Sequence, residues 1–220
     1  MVVHRSEWCP EGVPVLQCLR DQIGRRVWPV HRLDRATSGV LLFALDAEAA
    51  RAISVQFEQH TVDKRYHAIV RGWSDAAGVI DSPLREHPDA PELAAHTEYR
   101  RLAKIDLPIA VGRYPSARYS WVEARPRTGR MHQLRRHFAH LRHPVVGDVR
   151  HGDGRHNRMF REQLALPGMM LRSVWLRLRD LDDHELAIAA PSGGATGEAL
   201  AQLAWTLEDQ AVAPPSMTST

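Results

Sequence analysis

Apolar positions change their period several times along this 220-residue chain, and each change predicts an element. Val2–Val3 begins abruptly, as if in mid-strand. Val15, Leu16, Leu19 and Ile23 recur at helical spacing, and Gly24 is placed to stop that helix. Val27 to Val30 leads into a polar stretch, HRLDRATSG, at residues 31–39. The near-continuous apolar run from Val40 to Asp46 predicts a strand buried on both faces. Asp46 can cap a following helix, about Ala47 to His60, with Glu48 in its first turn. Its inward positions are Ala49, Ile53, Val55 or Gln56, and Phe57. Tyr66, Ala68 and Val70 then alternate with His67, Ile69 and Arg71, which predicts a strand ended by Gly72.

Residues 74–97 show little periodicity and read as loops with one short strand near Val79–Ile80. Thr97 to Ala103 and Ser120 to Ala124 read as strands, with a basic, Tyr-bearing turn or hairpin at 112–120 between them. Thr128–Gly129 closes a turn before a helix that starts near Met131. There Leu134, Phe138 and Leu141 fall at i, i+4 and i+7 and face the core, while Arg135, Arg136, His137, His140 and Arg142 cover the remaining faces. Pro144 stops this helix, and Val145–Val146–Gly147–Asp148 reads as a tight return. Residues 150–163 form a basic loop leading toward a helix. Met169 to Leu178 and Glu185 to Ala189 predict a hairpin across Asp182–Asp183, and Thr196 to Leu207 a terminal helix. Residues 1–211 therefore read as one mixed α+β domain, and 212–220 as a disordered tail.

Composition narrows the setting. An apolar content of 44% beside 25% charged residues is an ordinary globular balance. No apolar run reaches the length of a membrane span, and the N-terminus has no signal-peptide core. Cys9 and Cys18 are too few for a disulfide framework. A cytosolic monomer with reduced thiols is expected.

The net charge of +3 conceals a strong asymmetry. Between Arg125 and Arg158 stand nine arginines and six histidines against two acids, Asp148 and Asp153. From Asp180 onward there are seven acids and no Lys or Arg. A basic segment of this kind suits a polyanion, RNA or DNA in the first instance.

Several chemistries can be weighed against this frame. His137, His140 and His143 form H-x-x-H-x-x-H, but that spacing rotates round a helix, and Arg136 and Arg142 would repel a cation. Solvated, phosphate-facing histidines are the expectation. No Walker loop, dinucleotide fingerprint or G-x-S-x-G elbow is present. Asp34 remains, flanked by Arg32 and Arg35 in the polar stretch. A lone aspartate in a turn is usually a cap or turn residue. Paired with an arginine in a pocket, such as Arg135 or Arg136, it would stay ionised and could act as a nucleophile or electrostatic stabiliser. With Tyr66 near it, the set suits a flipped nucleobase.

Three long motifs then stand in order. HRLDRATSG with its apolar sequel, KRYHAIVRG at 64–72 and TGRMHQLRRHFAHLRHPVVGD at 128–148 resemble the signatures of the RluA-type family of RNA pseudouridine synthases. The details of QFEQHTVDKRYHAIVRGW, GRYPSARY and QLRRHFAHLRHPVVGDVRHGD are most similar to its branch acting on uridine-65 of certain tRNAs. The resemblance implies a mixed, mainly antiparallel central sheet with flanking helices and a basic active-site cleft. It implies an isomerase that uses no cofactor and no metal and has RNA as its partner. Asp34 would attack the ribose C1′ (or the base C6), Tyr66 would stack on the uracil and help remove the C5 proton, and Arg135 would pair with Asp34. Arg32 would insert where the nucleotide has left the stack, and Leu171 would contact the base. Arg35, Arg130, His132 and Arg136 would join them in holding RNA. Ribosomal RNA as substrate, and a non-catalytic RNA-binding module, stay open as alternatives. Two departures are visible. The family opens with a strand and a Lys-Pro-x-Gly motif, and this chain starts in the segment after it, so that strand is expected to be missing. The family's Leu-His-Ala is here Leu171-Arg172-Ser173.

Overall fold

The computed structural model describes residues 14–207, so Val2–Val3 and the tail at 212–220 lie outside the described residues. The elements are α1 (Val15–Ile23), β1 (Trp28–Pro29), β2 (Ser38–Gly39), β3 (Phe43–Ala44), α2 (Ala47–Glu58), β4 (Asp63–Arg71), β5 (Ala77–Asp81) and β6 (His96–Leu107). They continue with β7 (Ala117–Pro126), α3 (Gln133–His140), α4 (Gly154–Gln163), β8 (Leu171–Arg179), β9 (Glu185–Ala189), α5 (Gly194–Gln202) and β10 (Thr206–Leu207).

Eight strands form the main sheet in the order β10-β6-β7-β4-β8-β2, with β5 added to β6 and β9 to β8. Every described pairing is antiparallel except that of β2 with β8, so the sheet is mixed but mainly antiparallel and the class is α+β. β4 has a neighbour on each edge, β7 and β8, and is covered on both faces. Its Ala68, Ile69 and Val70 are fully buried. Alternation sends them opposite ways. Ala68 and Val70 pack with Leu134 and Phe138 of α3, whereas Ile69 joins Tyr119, Met159 and Phe160 in a cluster that includes α4 and α5. A third cluster sets Ile53 and Phe57 of α2 against Val40, Leu176 and Leu178. The site described below lies on the α3 side.

Local sequence explains most of these elements. Asp46 accepts from the Ala49 N–H at 2.8 Å and starts α2 as an N-cap. The residue pattern misleads in five places. Val40 to Asp46 is not one strand. Gly39 has φ +108°, and a Cβ there would lie 1.9 Å from the Ser173 carbonyl oxygen, so the chain passes β8 closely and turns away. The Leu42 N–H then goes to the His31 ring at 2.9 Å, not to a strand, before β3 pairs with β1. Val55 is exposed, while Gln56 bonds the Arg179 backbone in both directions. β6 and β7 run longer than their sequence cores, because they pair over their whole length. The terminal helix ends at Gln202, since Thr206–Leu207 pairs with the edge of β6.

The fifth correction is His137. It is fully buried, not solvated, with Nδ1 at 2.9 Å from Thr97 Oγ1 and Nε2 at 3.1 Å from the Ser82 carbonyl. His143 Nδ1 lies 2.8 Å from the Arg71 carbonyl. The H-x-x-H-x-x-H run therefore ties a helix into its surroundings.

Candidate active site

The polar stretch before β2 is shaped by its own residues. The Thr37 N–H donates to the Asp34 carbonyl at 2.8 Å, closing a tight turn that leaves Arg35 exposed. His31 clamps the base of this loop through Leu42 and stacks on Phe57, ring centroids 4.6 Å apart. Burial, aided by the charge of Lys64, pushes the His31 imidazole down to about 4. It is neutral at pH 7 and keeps the Nε2 lone pair that Leu42 requires.

Tyr66 enters from β4, in register with Ser173 of β8 and Ala124 of β7. Burial pushes its phenol up to about 12, and the Asp34 charge acts in the same sense. Ser173, whose hydroxyl opposes that rise, is fully buried, and its Oγ has no hydrogen bond of ordinary geometry. Tyr66 is thus a protonated, half-buried ring beside a carboxylate.

Arg135 is supplied by α3 and is buried. Its Nη1 donates to Asp34 Oδ2 at 3.2 Å. Its Nε and Nη2 donate to Asp148 Oδ2 and Oδ1, both at 2.8 Å. One guanidinium therefore joins two carboxylates that are distant in sequence, in the fork geometry that arginine favours. The Asp148 side chain has no solvent exposure, against 22% for Asp34. Burial alone would raise Asp148, but hydrogen bonds from Arg135 and from the His151 and Arg150 N–H groups outweigh it and bring the carboxyl to about 2.

The loop carrying Asp148 is tightly built. Gly147 has φ +80°, and a Cβ there would fall 1.8 Å from the Gly168 carbonyl oxygen. Asn157 of α4 accepts from the Gly147 N–H at 2.7 Å and donates to the Asp148 carbonyl at 2.8 Å. The same loop brings His151 to His132, which caps α3 in a left-handed conformation; Nε2 and Nδ1 are 3.0 Å apart. Burial lowers both imidazoles, while Asp34 opposes the fall at His132 and Asp148 does so at His151.

The residues expected to hold RNA are arranged unevenly. Arg32 and Arg35 are exposed and form no ion pair with any described residue. Arg130 and Arg136 anchor on the Ala94 and Arg85 carbonyls, respectively. His132 is engaged with His151. Leu171 is only 3% exposed and sits with Leu134 and Val145 in the cluster against which Tyr66 packs. Asp148, His151 and Asn157 were not read as site residues from the sequence. Asp148 is one of only two acids in the basic segment, with Asp153, and that isolation among arginines is the signal the sequence offers for it.

An open carboxylate, a neutral aromatic ring and a fixed guanidinium at the rim of a basic surface suit a planar base drawn from RNA. A family model for RNA pseudouridylate synthase matches residues 3–140, and the chain belongs to that family. It is similar to tRNA pseudouridine synthase C of Vibrio cholerae serotype O1, 51% identical over 189 residues, covering 80% of this chain and 77% of that protein. It is also similar to the Salmonella typhimurium protein of the same name, 48% identical over 218 residues, covering 93% and 83%. Among solved structures, human RNA pseudouridylate synthase domain containing 1 matches with TM-score 0.67 at 27% identity, over 86% of this chain and 82% of that one.

Proposed function

We propose that this RNA pseudouridine synthase acts on tRNA, converting uridine-65 to pseudouridine, with Asp34 as the reacting carboxylate. The observation that carries the reading is the convergence of Asp34, Tyr66 and Arg135 from three separated motifs, joined by the 3.2 Å contact between Arg135 and Asp34. The tRNA assignment is supported by the names of the Vibrio and Salmonella relatives.

An Asp34 oxygen forms a bond to ribose C1′ as the C1′–N1 bond breaks, and the uracil leaves with the electron pair. The base turns, C5 bonds to C1′ and the carboxylate departs. C5 then loses its proton and N1 gains one, so the net change is an isomerisation with nothing oxidised or reduced. A phenol pushed up to about 12 keeps its proton at pH 7. Tyr66 accordingly stacks on the uracil and assists loss of the C5 proton as a neutral phenol, not as a standing phenolate. Exposed Arg32 fills the gap left by the flipped nucleotide. Arg35, Arg130, His132 and Arg136 meet phosphates and sugars, which position the RNA without reading its sequence, and Leu171 backs the base from within the core. The test is to map pseudouridine in RNA from cells with and without the gene. Loss at uridine-65 of tRNA is the expected result; loss confined to ribosomal RNA, or no loss, overturns it.

A further inference from the structure

At one end of the main sheet a cavity of about 190 Å³ opens between the start of β4, the end of β7 and Arg177 of β8. Its walls carry Lys64, Arg125, Arg127, Arg177 and His60, with Asp63 as the acid among them. We propose that this cavity holds a phosphate of the RNA backbone beside the target uridine. The inference rests on the reading of tRNA as the substrate.

The first support is place. Lys64 and Tyr66 lie on the same face of β4, two residues and about 7 Å apart along the strand. A nucleotide whose base stacks on Tyr66 therefore has a neighbouring phosphate within reach of Lys64. The second is charge. Lys64 is buried, and its ammonium donates at 3.1 Å to a neutral acceptor, the Thr128 carbonyl. Arg127 turns Nε and Nη2 to Glu98, and Arg125 turns the same two groups to Glu123, which Arg100 also contacts. Arg177 reaches Asp63 and Glu185 only at 3.4 and 3.6 Å. The lysine and these four arginines outnumber the four acids by one positive charge. Burial and the Arg127 charge push the Lys64 ammonium down to about 8, against the pull of Asp63. An anion in the cavity would offset that cost and accept from guanidinium N–H groups that Glu98 and Glu123 do not engage. The third is size. The volume falls below the roughly 300 Å³ at which sites for drug-sized ligands begin, which suits a phosphate group and not a base. Such a contact positions the RNA without reading its sequence.

Two measurements test this. Lys64 and Lys104 are the two lysines of the chain, so ¹³C-labelled lysine gives two signals, assigned with Lys104→Arg. Inorganic phosphate, compared with chloride at equal ionic strength, should move the Lys64 titration upward from about 8 and leave that of Lys104 in place. The second uses tRNA in which single phosphates around uridine-65 are replaced by neutral methylphosphonate. The wild type should lose about fivefold in affinity at one phosphate. Arg127→Gln combined with Arg177→Gln, at side chains 52% and 45% exposed, should lose about as much on unmodified tRNA, lower the salt slope by about one and become indifferent to that methylphosphonate. Arg161→Gln, on α4, should keep the wild-type pattern. A Lys64 titration unmoved by phosphate, equal loss at every phosphate, or a double variant that still senses the same methylphosphonate overturns the proposal. A Lys64 response to inorganic phosphate with no sensitive phosphate in tRNA marks a site for the free ion and overturns the RNA assignment. The tRNA reading fails separately, when the wild type neither binds nor modifies tRNA.

Discussion

Two loops offer a carboxylate to the same guanidinium, and they are built in opposite ways. The loop at 31–39 has one short turn, exposed arginines and an aspartate still open to solvent. The loop at 147–152 is wound around its aspartate, which is closed to solvent and accepts four hydrogen bonds on its side chain. Both acids share Arg135, yet their surroundings divide the labour. A saturated carboxylate can only hold; an open one with a single bond can react. On the proposed reading, environment and not residue type assigns the roles of these two acids in one site.

Stability measurements can break or sharpen this contrast. Arg135→Met strands the Asp148 charge in the interior and should cost about 4 kcal/mol in urea unfolding, the largest effect of the set. Asp148→Asn should cost about 3 kcal/mol, because a buried bidentate pair is broken from the other side. Asp34→Asn, at a partly open single contact, should cost less than about 1 kcal/mol. Equal losses for the two aspartates would remove the distinction between the loops.

Acid titration separates the loops by pH. His31 has a folded pKa of about 4, below its ordinary 6.5, so the unfolded chain binds a proton first as pH falls. Stability should drop by about 3 kcal/mol between pH 6.5 and 4 from this group, and His31→Asn should flatten that part of the curve. Asp148, at about 2 in the fold against 3.8 ordinarily, stabilises above pH 3.8. Its share, about 2 kcal/mol, is lost only as pH falls from there through 2, and Asp148→Asn should remove that later slope. The smallest effect belongs to Ser173→Ala. It deletes a buried hydroxyl without a hydrogen bond, and should leave stability unchanged or raise it by up to about 1 kcal/mol.

The parts of the molecule legible in the sequence are those governed by local pattern. β4, α1 and the α3 positions Leu134 and Phe138 follow directly from spacing, because period sets which side chains share a face. The three motifs led to Asp34, Tyr66 and Arg135, and the structure joins the first and last of these by a hydrogen bond. What pattern could not supply was pairing between distant residues. Val40 to Asp46 has the hydrophobicity of a buried strand, but its hydrogen bonds are decided by the approach to Ser173 and by His31. His137 looks like surface by its charged neighbours, yet Thr97 and Ser82, far back in the chain, give its ring partners inside. Asp148 after a glycine has every mark of a turn residue. Its place in the fold is set instead by Arg135 one helix earlier and Asn157 one helix later.

The most direct test is release of tritium from C5-labelled uridine in tRNA by the wild-type protein and by Asp34→Asn, at matched tRNA binding. The wild type should release label and form pseudouridine, and Asp34→Asn should be at least about a thousandfold slower with its affinity for tRNA retained. Equal release by the two proteins would contradict the account.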